Sequence, residues 1–161
     1  PCGEIPLCPY DSCRLLALNL LSYVDNPFKK DAKFNFDKFR SHVAMAMRMM
    51  DDIIDLELEK VEQIIEKIAA DPEDEDVRRV ELELWKKILG MAQKGRRTGL
   101  GITAEGDMLA ALGLVYGSEE AIAFAVEVQK TLAVEAYRAS VKMAAERGAF
   151  PVTQPRRRTI R

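Results

Sequence analysis

Cys2 stands two residues ahead of Glu4 in the opening segment PCGEIPL, which is constrained by Pro1, Gly3 and Pro6. Side chains two apart in an extended loop project to the same side, so this thiol and carboxylate can face one bound molecule. The pair permits joint chemistry. The alternative is a surface loop with a packed cysteine and a solvated glutamate. A hydrolase using Cys2 as nucleophile needs a base, and His42, the single histidine, is the sole imidazole available. Cys8 and Cys13 complete a set of three cysteines within the first thirteen residues. An odd, crowded set lacks the dispersed even spacing of a secreted disulfide framework and suits catalytic, redox-active or merely packed thiols in a reducing compartment.

Other reactive side chains point more weakly to chemistry. His42 has no Cys or His at ligand spacing, so no metal site is expected there. Asp51, Asp52 and Asp55 are read as a solvated or N–H-bonded helix face, and Met45, Met47, Met49 and Met50 as adaptable core filler. Gly99 and Gly101 lack both a third glycine at dinucleotide spacing and a Walker lysine, which favours a close-packed turn over a phosphate cradle. No residues are assigned to bind a cofactor.

The elements that must position these groups are mostly helical. Leu15 to Val24 is a short apolar stretch, either a buried strand or a loop through a core. From Asn35, a capping residue, Phe36, Phe39, Val43, Ala46, Met50, Ile53 and Ile54 recur near helical spacing, and the pattern continues through Ile68 to the break at Asp71-Pro72. A second helix is expected over 77–93 with a stop at Lys94-Gly95, then a glycine-bearing loop, GRRTGLGI. Thr103 is the expected cap of a short helix. Ser118 is the expected start of a long one ending at Gly148, with Ile122, Ala125, Val126, Leu132, Ala136 and Val141 on its inner face.

The 161 residues, 48% hydrophobic and 31% charged, suffice for one globular domain with a core. A formal charge of -2, from 24 basic and 26 acidic residues, gives no global bias toward nucleic acid or anionic membrane. No apolar run approaches the roughly 20 residues needed to span a bilayer, and no secretory signal pattern opens the chain, so a cytoplasmic protein is expected. The absence of an initiator methionine before Pro1 suggests a cut start.

The segment PCGEIPLCPYDSCRLLALNL resembles the finger loop of ribonucleotide reductases, where N-P-C-G-E is followed by a redox cysteine and an N-L pair, here Asn19-Leu20. MMDDIID at Met49 to Asp55 and RRTGLGITAEGDMLAALG at Arg96 to Gly113 resemble the same family in the same order. The likeness runs over about residues 1 to 151. Proline before Cys2 and glycine after it favour the adenosylcobalamin (vitamin B12)-dependent class.

The resemblance implies an α/β fold, as a helix-rich fragment of the ten-stranded α/β barrel. Residues 1–151 are a partial catalytic barrel domain with its finger loop at 1–13 and its helical part at 35–148, and 152–161 have the basic composition of an unfolded tail. It implies that Cys2 becomes a transient thiyl radical, that Glu4 accepts the 3'-hydroxyl proton, and that Cys13 supplies reducing equivalents with a second cysteine upstream, ending as a disulfide. Cys8 has no counterpart. Adenosylcobalamin is the implied cofactor of a larger parent, bound outside these residues. The implied partners are a ribonucleotide substrate, a thioredoxin-like reductant and nucleotide effectors, without nucleic acid or membrane. The rival reading is a helical interaction module without catalysis, which leaves PCGEIPL and RRTGLGITAEGD unexplained.

Overall fold

The computed structural model describes residues 7–153; Cys2, Glu4 and most of the basic tail lie outside them. In chain order the elements are β1 (Arg14–Asn19), a 3-10 turn (Leu20–Tyr23), β2 (Val24–Asp25), β3 (Lys33–Phe34), α1 (Phe36–Ala69), α2 (Glu75–Gly95), β4 (Thr98–Thr103), α3 (Glu105–Ala111), α4 (Glu119–Arg147) and a 3-10 turn (Pro151–Thr153). β1 neighbours β4, and β2 pairs antiparallel with β3, Val24 opposite Phe34. Among the described residues the strands form these two short sheets and no closed barrel, while the helix-rich character agrees with expectation.

The chain divides into two compact units. The first gathers the described residues of Pro1–Arg14, Asp51–Thr98 and Ala144–Arg161; the second gathers Leu15–Met50 and Gly99–Met143.

The second unit is built on an apolar core. Leu20, Tyr23, Phe34, Phe39, Val43, Met108, Leu109, Val128 and Leu132 are buried together. Tyr23 and Phe34 each meet Phe39 edge to face, with ring centroids 5.0 Å and 5.4 Å apart, the geometry that aromatic quadrupoles favour. Asn35 caps α1 as its type predicts, its Oδ1 accepting from the Lys38 N–H at 3.0 Å. The buried stripe Phe39, Val43, Ala46, Met50 and Ile54 follows at steps of three and four.

The first unit holds the last turns of α1, where Ile54, Val61 and Ile68 are buried, together with α2. Asp74 caps α2 by accepting from the Asp76 N–H at 2.9 Å.

Several sequence expectations are corrected. The methionine cluster is not uniform core filler: Met50 is buried, but Met45 and Met49 face solvent because they fall off the stripe. Leu15 to Val24 is not a fully buried strand, since burial alternates along β1 and leaves Leu15 exposed. The GRRTGLGI loop contains a strand, β4, so Gly99 and Gly101 lie in extended, paired backbone rather than a turn. Helix α2 runs through Gly95, and the left-handed terminal residue is Arg96 (φ 42°). Ala104, not Thr103, precedes α3, in a left-handed conformation without a side-chain cap. The inner face of α4 is Ala121, Phe124, Val128, Leu132 and Ala136; Ile122, Val126 and Val141 are exposed. That helix is apolar on more than one face, so spacing alone could not pick the buried one.

Candidate functional site

Of the three predicted site residues, Cys13 lies within the described residues. It sits half-buried at the end of the segment 7–13, directly before β1. Its Sγ lies 3.9 Å from the Arg14 carbonyl oxygen, a weak S–H donation.

Each residue flanking this thiol is tied to a different part of the first unit. On the upstream side, the Asp11 carboxylate accepts from Arg97 Nε, and its side chain is only 1% exposed. Its other oxygen accepts from the Ser12 N–H at 3.0 Å, and the Asp11 N–H donates to the Cys8 carbonyl at 3.1 Å, closing a turn. On the downstream side, Arg14 donates through Nε and Nη2 to both oxygens of Glu57 on α1. Arg14 Nη1 also donates to the Ser12 carbonyl at 3.0 Å, and the arginine side chain is 9% exposed. The two-pronged guanidinium–carboxylate contact fixes orientation as well as distance.

Arg97 also reaches Cys8, its Nη2 lying 3.9 Å from the exposed sulfur. Lys87 on α2 sits over the Tyr10 ring, 5.4 Å from its centroid. Hydrogen bonding to Asp11 raises the Arg97 guanidinium above its ordinary value, so the cation is retained.

The neighbouring Arg96 points elsewhere. It donates to Asp51 Oδ1 and Asp55 Oδ1, each at 2.7 Å, and to the Asp51 carbonyl at 2.9 Å. Arg147, from the end of α4, donates to Asp51 and, at 2.6 Å, to Asp52. The carboxylate oxygens of Asp51, Asp52 and Asp55 approach within 4.8 Å of one another, a spacing that a metal ion can bridge. Here the two guanidinium groups of Arg96 and Arg147 already pair with all three carboxylates.

Burial pushes the Asp51 carboxyl up, but the hydrogen bonds and charges of Arg96 and Arg147 outweigh burial and hold it below the usual carboxylate range. Burial likewise works against the Arg96 cation, and hydrogen bonds to Asp51 and Asp55 raise it overall. The left-handed backbone at Arg96 costs roughly 1–2 kcal/mol for a residue with a Cβ, which the three donated bonds offset.

Among the described residues His42 belongs to no cluster of three metal-ligating groups; its Nδ1 lies 3.2 Å from the Tyr23 hydroxyl. The sequence reading missed Asp11, Glu57, Arg96, Arg97 and Arg147. The signal present was the Arg96-Arg97 pair at a helix end, passed over in favour of the glycines beside it.

A family model described as "Ribonucleotide reductase, barrel domain" matches residues 1–156. The chain is 36% identical over 151 residues to the vitamin B12-dependent ribonucleoside-diphosphate reductase of Thermoplasma acidophilum, covering 94% of this chain and 16% of that protein. It is 32% identical over 151 residues to the enzyme of the same description from Mycobacterium tuberculosis, covering 94% of this chain and 18% of that protein. Ribonucleoside-diphosphate reductase subunit alpha of Chlamydia pneumoniae is 26% identical over 138 residues, 86% of this chain and 10% of that protein. The chain thus spans less than a fifth of the length of these relatives.

Proposed function

Because the chain belongs to the ribonucleotide reductase barrel-domain family, we propose that it acts within a longer reductase that converts ribonucleotides to deoxyribonucleotides. The relatives are named as diphosphate reductases, and a ribonucleoside diphosphate is the substrate carried over. Cys2 is the thiol that abstracts the ribose 3' hydrogen and later returns it. Glu4 accepts the 3'-hydroxyl proton. The 2'-hydroxyl leaves as water, and two electrons come from Cys13 and a second cysteine of the longer protein, which end as a disulfide. A thioredoxin-like dithiol resets that disulfide, and nucleotide effectors regulate the whole enzyme.

One observation carries this reading beyond the family match. The three segments that resemble the family are joined by ion pairs: Asp11 of the first to Arg97 of the third, and Arg96 of the third to Asp51 and Asp55 of the second. The three segments that resemble the family are therefore tied to one another rather than scattered over a helical surface.

Adenosylcobalamin is the proposed cofactor of the longer reductase. The described residues do not fit it: His42 is engaged by Tyr23, and a cavity of about 650 Å³ along α2 is lined largely by charged side chains, including Asp74, Arg79, Glu83 and Lys86. A corrinoid ring presents a broad face that such a charged groove does not complement. No step is assigned to the cofactor on this chain. Among the described residues no helix is long and apolar enough to cross a membrane.

The test is Cys2→Ser in the longer reductase. Deoxyribonucleotide formation is expected to disappear while cobalamin binding persists. Undiminished turnover would remove Cys2 from the mechanism.

A further inference from the structure

We propose that Asp11–Arg97 and Arg14–Glu57 form a paired brace whose task is to position the Cys13 thiol, making Asp11, Arg14, Glu57 and Arg97 positioning residues for the reductive half of the reaction. The inference rests on the reading of Cys13 as a redox thiol.

The brace is short and double-sided. Its two anchors, Asp11 and Arg14, lie two residues before Cys13 and one after it, and they reach side chains 86 and 43 positions away in sequence. Ser12, the residue between Asp11 and Cys13, is bonded from both ends: its N–H donates to Asp11 and its carbonyl accepts from Arg14. Backbone on both sides of the thiol is therefore fixed to side chains that are themselves fixed, which holds the Cys13 Cα–Cβ bond in place and leaves the sulfur the staggered positions about that bond.

The energetics separate positioning from simple stabilisation. Taking charges out of water costs several kcal/mol per ion, and a buried pair commonly does no better than an apolar contact of equal volume. Asp11 and Arg14 have side chains only 1% and 9% exposed, so both carry much of that cost. What an ion pair adds over an apolar contact is direction, especially where a guanidinium fork meets both carboxylate oxygens. Disulfide formation demands direction, because two sulfurs must approach along a narrow range of geometries. A brace of this type on a thiol that must find one partner sulfur is the expected use of such pairs.

A structural role alone would loosen the whole unit, whereas a brace acts at Cys13. The discriminating measurement is the alkylation rate of Cys13 in the full 161-residue chain, resolved by peptide mass spectrometry and compared among Arg97→Lys, Glu57→Gln and Arg96→Lys. Arg96→Lys is the control, since it weakens ion pairs in the same unit that do not touch the Cys13 segment. A half-buried thiol reacts when its segment opens, so losing one anchor is expected to speed Cys13 alkylation roughly tenfold in the first two variants. The control is expected to stay within about twofold of the parent at equal helical circular dichroism.

Equal Cys13 rates in all the proteins would overturn the brace, as would an acceleration in Arg96→Lys matching the other two. Where a single variant loses its helical signal, the double variant Asp11→Asn with Arg97→Met removes the buried charge along with its partner. Faster Cys13 labelling in that folded protein supports the brace, and the parental rate, or failure of the double variant to fold, overturns it. The labelling needs no turnover, so its failure leaves the redox role of Cys13 standing. Failure of that role would appear instead as undiminished turnover in Cys13→Ser.

Discussion

The two units of this chain hold themselves together by different means. In the second, burial is apolar and aromatic, and the ion pairs described there, Arg40–Asp37 and Arg138–Glu135, join neighbours three apart on one helix. In the first, beside the local Arg79–Asp76 and Arg79–Glu83 pairs of α2, ion pairs bridge residues 41 to 96 positions apart and draw together the segment 7–14, α1, the Arg96-Arg97 pair that follows α2 and the end of α4. An apolar core tolerates small shifts of its members, because dispersion and the hydrophobic effect are nearly directionless. Charged forks do not tolerate them, and the unit that carries the proposed redox thiol is the one laced by forks.

The largest effect that tests this contrast is in the apolar unit. Phe39 is fully buried against Tyr23 and Phe34, and Phe39→Ala is expected to cost about 3–5 kcal/mol in urea unfolding. A loss below about 1 kcal/mol would mean that the aromatic cluster is not the source of that unit's stability.

A smaller effect, opposite in sign for the two units, follows from pH. The Asp51 carboxyl is held low in the folded state, so its contribution is complete above its unfolded value of about 3.9 and disappears as pH falls through the folded one. Asp51→Asn should flatten the acid limb of stability for the first unit. Burial raises the Tyr23 hydroxyl, so the second unit keeps that contribution below about pH 10 and loses it as pH rises further. Tyr23→Phe should flatten the alkaline limb. Amide exchange followed at acid and alkaline pH assigns each limb to its unit, and a reversed assignment would break the comparison.

The smallest effect should not distinguish the units at all. Asp74 caps α2 in the first unit and Ser118 caps α4 in the second, its Oγ accepting from the Ala121 N–H at 3.2 Å. Each cap changed to alanine is expected to cost about 1 kcal/mol, because capping is a local exchange of one hydrogen bond. A clear difference between them in thermal melts would show that helix ends, and not only interiors, are coupled to the contrast between the units.

The local features were legible in the sequence for the reason that capping is local. Asn35 and Ser118 were identifiable as helix starts because their side chains bond backbone three residues on. Gly148 was identifiable as a stop because the end of α4 takes a φ of +88° there, which glycine adopts without strain. The stripe of Phe39, Val43, Ala46 and Met50 was likewise visible, since helical periodicity writes burial into spacing when one face is apolar. The family resemblance was present in residue types and their order.

Tertiary structure decided the rest. It selected Ala121, Phe124 and Val128 over Ile122 and Val126, because α4 offers apolar residues on competing faces and only the surrounding core chooses among them. It made a strand of Thr98–Thr103 by placing β1 alongside, where glycines had suggested a turn. And it joined Asp11 to Arg97, Glu57 to Arg14, and Asp51 to both Arg96 and Arg147. A charged side chain carries no mark of its partner when that partner lies tens of residues away, so Cys13 could be proposed from the sequence, while the ion pairs on either side of it arose only when the chain folded.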